Sequence, residues 1–216
     1  MPWAPSRRRV SEMVMLNRDT CTIQIVGVGG QGALTVSRII GAAALKKNVP
    51  IIISEIHGMA QRGGVVKTTI RLGDTISPLP FKSDITCLVG FEPLEVYRAR
   101  DEISKDTVVV ISTDPIRPIS VSSWGKVYPE VDEIIEEVKK HTECTFSLSA
   151  REKAQEAGNE RVTNVVLLGA LAGTGTLPFT CEELREAIGE SVPEKSLEAN
   201  LKAFDLGYGE VHDRKK

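Results

Sequence analysis

The sequence predicts an α/β domain of Rossmann-like type, with a mostly parallel central sheet flanked by helices. Three observations carry that prediction. Residues 22–26, Thr-Ile-Gln-Ile-Val, form a β-branched run that feeds directly into the glycine-rich stretch 27–32, Gly-Val-Gly-Gly-Gln-Gly. Residues 33–47 then carry Leu34, Ile40, Ala43 and Ala44 at helical spacing, with Lys46 and Lys47 in the last turn, where cations suit the helix dipole. Pro50 breaks that helix, and Ile51-Ile52-Ile53 follows as a second strand. The order strand, loop, helix, strand is the unit of a parallel sheet.

Beyond it, residues 65–72 read as a strand turned by Gly73-Asp74, and 85–89 and 108–111 as buried strands. Residues 93–103 read as a helix between those two strands, and 131–140 as a polar amphipathic helix. Residues 162–172 are apolar almost throughout, which predicts a buried helix, because the run falls short of the roughly 20 residues of a membrane span. Thr180-Cys181-Glu182-Glu183 has the pattern of a capping box. Ser191-Val192-Pro193-Glu194 reads as a second such start, with Gly207 as its stop. The chain thus divides into a mobile N-terminal extension over 1–21, one domain over 22–211 and a charged tail over 212–216.

Composition narrows the function. The 216 residues suit one domain, with 41% hydrophobic and 26% charged residues. A net charge of −2 and only 5% aromatic residues give neither the basic excess of a nucleic-acid binder nor a base-stacking surface. Cys21, Cys87, Cys144 and Cys181 are widely spaced, without a C-x-x-C pair, so no iron–sulfur cluster or structural metal is expected on this chain. Cys87 reads as a small buried hydrophobe. The absence of a disulfide pattern suits a reducing cytoplasm.

Two stretches carry candidate chemistry. Gly27, Gly29 and Gly32 match G-x-G-x-x-G, in which the first glycine serves a tight turn, the second the close approach of a phosphate, and the third helix–strand packing. With Gly30 and Gln31 they form the candidate cofactor-binding loop, aided by the N-terminus of the following helix. The same loop could serve only packing or the docking of another chain. The second stretch is a polar loop over 55–64 containing Glu55, His57, Gly58, Gln61, Arg62, Gly63 and Gly64. Glu55 stands near the place of a ribose-binding acid, but no helix follows it, which favours a solvated or partner-facing carboxylate. Arg62 presents a planar fork for phosphate or carboxylate, His57 can exchange a proton near neutral pH, and the glycines allow close approach. This loop is expected to bind a ligand or a partner chain. Only three histidines are present, and there is no room for a clear second domain, which argues against a nicotinamide dehydrogenase.

Taken together, the 27–32 loop and the 55–64 loop resemble the gamma-type domain of the 2-oxoacid:ferredoxin oxidoreductases. Residues 164–171 and the helix over 194–204 add to the resemblance, which spans about residues 22–211. Within the family, residues 56–64 are most similar to the branch acting on aryl pyruvates such as indolepyruvate. The resemblance implies a subunit of a heterodimer or heterotetramer, inactive alone. A large companion subunit would carry thiamine diphosphate and the 4Fe-4S clusters, with coenzyme A as cosubstrate and ferredoxin as electron acceptor. A gamma subunit for pyruvate, 2-oxoglutarate or branched-chain 2-oxoacids, or a stand-alone nucleotide- or coenzyme-binding module, is the alternative.

Overall fold

The computed structural model describes residues 20–58, 64–81, 84–116 and 128–215. Six strands form one sheet: β1 (Thr20–Val28), β2 (Ile51–His57), β3 (Val65–Gly73), β4 (Cys87–Gly90), β5 (Val108–Ser112) and β6 (Cys144–Leu148). Their order across the sheet is β2-β3-β1-β4-β5-β6. The pairs β1–β4, β4–β5 and β5–β6 are parallel, and β3 pairs antiparallel with both β1 and β2. Every strand except β3 therefore runs the same way, as a mostly parallel α/β sheet requires.

Seven α-helices among the described residues flank the sheet: α1 (Ala33–Lys46), α2 (Pro93–Ala99), α3 (Val131–Lys139), α4 (Ala150–Glu156), α5 (Thr163–Gly173), α6 (Cys181–Ser191) and α7 (Glu194–His212). The parallel strands are buried on both faces, so their side chains divide between two cores. Ile23, Ile25, Cys87, Val89 and Val110 face a large core with α1, α4, α5, α6 and α7. Val26, Leu88, Val109 and Ile111 face a smaller one with α2 and α3. The apolar run predicted as a buried helix is α5, in which Val165 to Leu171 are all buried. A helix apolar on every side belongs inside the structure. No helix among the described residues is long and apolar enough to cross a membrane.

Several elements depart from the sequence reading. The first strand begins at Thr20 rather than at residue 22. The first two strands are not neighbours: β3 folds back as a hairpin from β2 and inserts between them. The hairpin pairs Glu55 with Thr68 and His57 with Val66, so Glu55 and His57 stand on a strand and not in a loop. The 93–103 helix stops at Ala99 and tightens into a 3-10 turn, Arg100–Glu102. Strand β6 and helix α4 went unpredicted. The capping box at α6 forms, with Thr180 Oγ1 accepting from Glu183 N–H and Glu183 Oε2 accepting from Thr180 N–H. The second one does not: Pro193 caps α7 without a side-chain bond. Gly207 does not end α7, which continues to His212 and a 3-10 turn, Asp213–Lys215, where a charged tail was expected.

Candidate functional site

The glycine loop sits at the carboxyl edge of the sheet, between β1 and α1, and its glycines divide their work differently from the motif. Gly27 is still on the strand. A Cβ there would lie 2.6 Å from Gln31 Oε1 and 2.9 Å from Phe91 Cβ. It is glycine because the Gln31 side chain folds back beneath the loop. Gln31 Oε1 accepts from the Val28 N–H at 2.7 Å, and its Nε2 donates to the Phe91 carbonyl at 2.7 Å. The Gln31 amide is thereby committed to holding β1, the loop and the end of β4 together. The turn itself is made by Gly30, at φ +99. Gly32, at φ +85, is the N-cap of α1, and its carbonyl accepts from Thr35, Val36 and Asn164 Nδ2. Its missing side chain admits α5, not the strand: a Cβ would lie 2.7 Å from Asn164 Nδ2. Gly32→Ala is expected to cost about 1–3 kcal/mol, from a positive φ together with an overpacked contact. Urea unfolding checks this; an unchanged midpoint would refute the close packing.

The β2–β3 hairpin brings the second candidate stretch beside the first. Gly58 N–H donates to the Val65 carbonyl, and Gly29 N–H donates to the Gly64 carbonyl, both at 2.8 Å. Between them opens a cleft of about 640 Å³ lined by Val28, Gly29, Gly30, Gln31, Gly32, Ala33, Leu34, His57, Gly58 and Val66. Gly64 meets the loop through its carbonyl. Glu55 does not line the cleft; its carboxylate is held by His57 Nε2 at 3.1 Å and Thr68 Oγ1 at 3.3 Å. The structure therefore uses Glu55 to orient His57 at the rim. Gln61, Arg62 and Gly63 lie outside the described residues.

Backbone amides and the uncapped N-terminus of α1 give one side of the cleft a partial positive charge suited to an anion. Leu34, 48% exposed, and Val66 make the rest apolar. Val66 and Thr68 carry no mark in the sequence; Leu34 reads there as an apolar helix position, yet it stands exposed at the cleft, and Asn164 enters only within the 164–171 stretch of the resemblance. The only signal for Asn164 is a polar side chain opening an otherwise apolar helix.

Next to Phe91, two acids are buried. Glu92 is the N-cap of α2; it accepts from the Glu95 N–H at 3.1 Å and from the Tyr128 hydroxyl at 2.5 Å. Burial pushes the Glu92 carboxyl above its ordinary value of 4.5, against those hydrogen bonds. Burial also raises Glu95, against the opposing charge of Arg98, and raises the Tyr128 hydroxyl. A carboxyl raised on folding stabilises the fold below its unfolded pKa, and that contribution is lost as pH rises through its folded value. Glu92→Gln is accordingly expected to flatten the fall in stability as pH climbs above about 4.5. Equal pH slopes for both proteins in urea titrations would refute it.

The cysteines are less scattered in space than in sequence. Cys21, Cys87 and Cys144, on β1, β4 and β6, face the same core, and Cys87 feels the other two thiols. Burial is the larger reason its thiol is pushed up. Even so, the described residues hold no group of three or more His, Cys, Asp or Glu side chains able to bind a metal ion. They do not fit an iron–sulfur cluster.

This fold, with a glycine loop and a hairpin meeting at the carboxyl edge, is that of the small subunits of 2-oxoacid oxidoreductases. The gamma subunit of a keto/oxoacid ferredoxin oxidoreductase from Geobacter sulfurreducens superposes with a TM-score of 0.67 at 23% identity, covering 92% of this chain and 100% of that one. The 2-oxoglutarate:ferredoxin oxidoreductase of Magnetococcus marinus superposes at 0.69 and 18% identity, over 91% of this chain but 32% of its own. The chain belongs to the pyruvate ferredoxin/flavodoxin oxidoreductase family, whose sequence profile matches residues 22–210. It is 42% identical over 189 residues to the indolepyruvate oxidoreductase subunit IorB of Archaeoglobus fulgidus, covering 88% of this chain and 94% of that subunit.

Proposed function

We propose that the chain is the small subunit of a ferredoxin-dependent oxidoreductase that converts indolepyruvate and related aryl pyruvates to aryl acetyl-coenzyme A. The observation that carries the reading is the 42% identity to an indolepyruvate oxidoreductase subunit over almost the whole of both chains. In the reaction the C1–C2 bond of the 2-oxoacid breaks and carbon dioxide leaves. The acyl carbon forms a thioester with coenzyme A, and two electrons pass singly to two ferredoxins. Thiamine diphosphate would supply the electron sink for the decarboxylation, and 4Fe-4S clusters would supply the electron path. Both belong to the large companion subunit.

The contribution of this chain is a rigid, partly electropositive surface. Gly29, Gly30 and Gly32 present backbone rather than side chains to the cleft, Gln31 locks the loop's shape, and Gly27 leaves room for that lock. The stretch from His57, which Glu55 holds, to Gly64 is expected to face the large subunit, close to the thiamine or coenzyme A site. The complex works in the cytoplasm.

Isolation of a tagged chain under anaerobic conditions tests the reading. The complex is expected to reduce a viologen dye in a coenzyme A-dependent way, fastest with indolepyruvate. Preference for pyruvate or 2-oxoglutarate would move the chain to another branch of the family, and no activity with any 2-oxoacid would refute the proposal. The chain purified alone is expected to be inactive and colourless; stoichiometric iron with a broad visible absorbance would place a cluster here.

A further inference from the structure

The segment after β3 is built with polar contacts beneath and apolar side chains outside. Arg71, 7% exposed, donates from one guanidinium nitrogen to the carbonyls of Ser77 and Leu79, at 3.1 and 3.2 Å. Ser54 Oγ on β2 donates to the Pro78 carbonyl at 3.1 Å. These bonds clamp the segment by its backbone, and its large side chains point away: Ile76 is 98% exposed, Leu79 54% and Phe81 78%. Ile56, 55% exposed, lies two residues from Ser54 and so on the same face of β2 as the clamped segment. Strand β2 is itself the edge of the sheet. Folded chains ordinarily keep large apolar side chains off an open sheet edge, and a patch that remains marks an interface. Nine large apolar side chains among the described residues are exposed, and five of them, Ile56, Val65, Ile76, Leu79 and Phe81, lie on this face of the hairpin or on this segment, whereas Ile53 points toward α1.

We infer that this edge, formed by Ile56, Ile76, Leu79 and Phe81, docks onto an apolar face of the large subunit. The inference rests on the proposed function, which requires a large subunit. The occupant follows from comparing two relatives. In the Magnetococcus protein this fold makes up 32% of one chain, so the remainder is covalently attached to it. The Archaeoglobus relative is a separate subunit, 94% of which this chain matches. A domain that is joined in one protein and separate in another needs a surface to replace the covalent link, and this edge is the one equipped for it.

Hydrogen exchange and two variants test the inference, using the large chain recovered with the tagged wild type and recognised by its thiamine diphosphate and iron. In the complex, residues 51–57 and 74–81 are expected to exchange more slowly than in the chain alone. Phe81→Asp and Leu79→Asp, at exposed positions, are expected to keep the wild-type melting temperature and weaken assembly at least tenfold. Full assembly by both variants, or protection confined to other surfaces, overturns the inference while leaving the proposed function in place. So does a variant that only turns a dimer of this chain into a monomer, which would make the occupant a second copy. A wild-type preparation without any such large chain overturns the proposed function and this inference with it.

Discussion

Gly169→Ala and Gly207→Ala are each expected to destabilise the chain by about 4 kcal/mol or more, enough to abolish recovery of folded protein at 37 °C. Intrinsic propensity predicts the opposite sign, since alanine is about 1 kcal/mol better than glycine within a helix. The crossing of α5 and α7 decides the matter. A Cβ at Gly169 would lie 2.0 Å from the Phe204 carbonyl oxygen, and one at Gly207 would lie 2.0 Å from that of Val166. Both obstacles are backbone, so no rotamer change relieves them, and the two helices would have to separate along their buried length. Gly189 on α6 supplies the control: a Cβ there meets nothing nearer than Leu197 Cδ1 at 3.9 Å. Gly189→Ala is expected to gain about 0.5–1 kcal/mol. Denaturant titration of all three separates the effects. If all three substitutions raise the midpoint together, the helices do not cross as closely as described.

The second large effect is on activity. Arg62→Ala is expected to lower turnover of the assembled enzyme, or its assembly, by about tenfold or more, corresponding to the loss of a charge-assisted contact worth about 1.5–3 kcal/mol. The melting temperature of the isolated chain should stay nearly unchanged. Arg62 lies outside the described residues, but both ends of its loop are placed. Gly58 is bonded to Val65 and Gly64 to Gly29, so the described residues on either side of it stand at the carboxyl edge beside the cleft, where α/β sheets bind ligands. A variant that melts earlier yet retains full activity once assembled would make Arg62 structural and remove it from the site.

What could be read from the sequence was whatever depends on neighbours along the chain. The β1–loop–α1 unit, the buried run that becomes α5 and the Thr180–Glu183 capping box are governed by periodicity, dihedral preference and short-range hydrogen bonds. The family resemblance, carried by the 27–32 and 55–64 stretches, agrees with the match over residues 22–210. Strand β6 escaped because its five residues, Cys-Thr-Phe-Ser-Leu, lack a continuous apolar run and take their strand state from pairing with β5.

Tertiary structure alone decided the placements that rest on distant partners. The insertion of β3 between β1 and β2 is a matter of nonlocal hydrogen bonding, and it moved Glu55 and His57 from an expected loop onto a strand at the cleft. Gln31 resembled a ligand-binding side chain until Phe91, sixty residues away, took its amide. Gly207 has the local signature of a helix stop; it lies inside α7 because only a glycine lets the α5 backbone approach. Cys21, Cys87 and Cys144 are far apart in the chain and face one core because parallel pairing sets Cys87 and Cys144 level through Val108, with Cys21 two residues before the partner of Cys87 and so on the same face of β1. Local propensity is worth tenths of a kcal/mol to about one per residue, and burial or a backbone clash several times that, so wherever the two conflicted the packing prevailed.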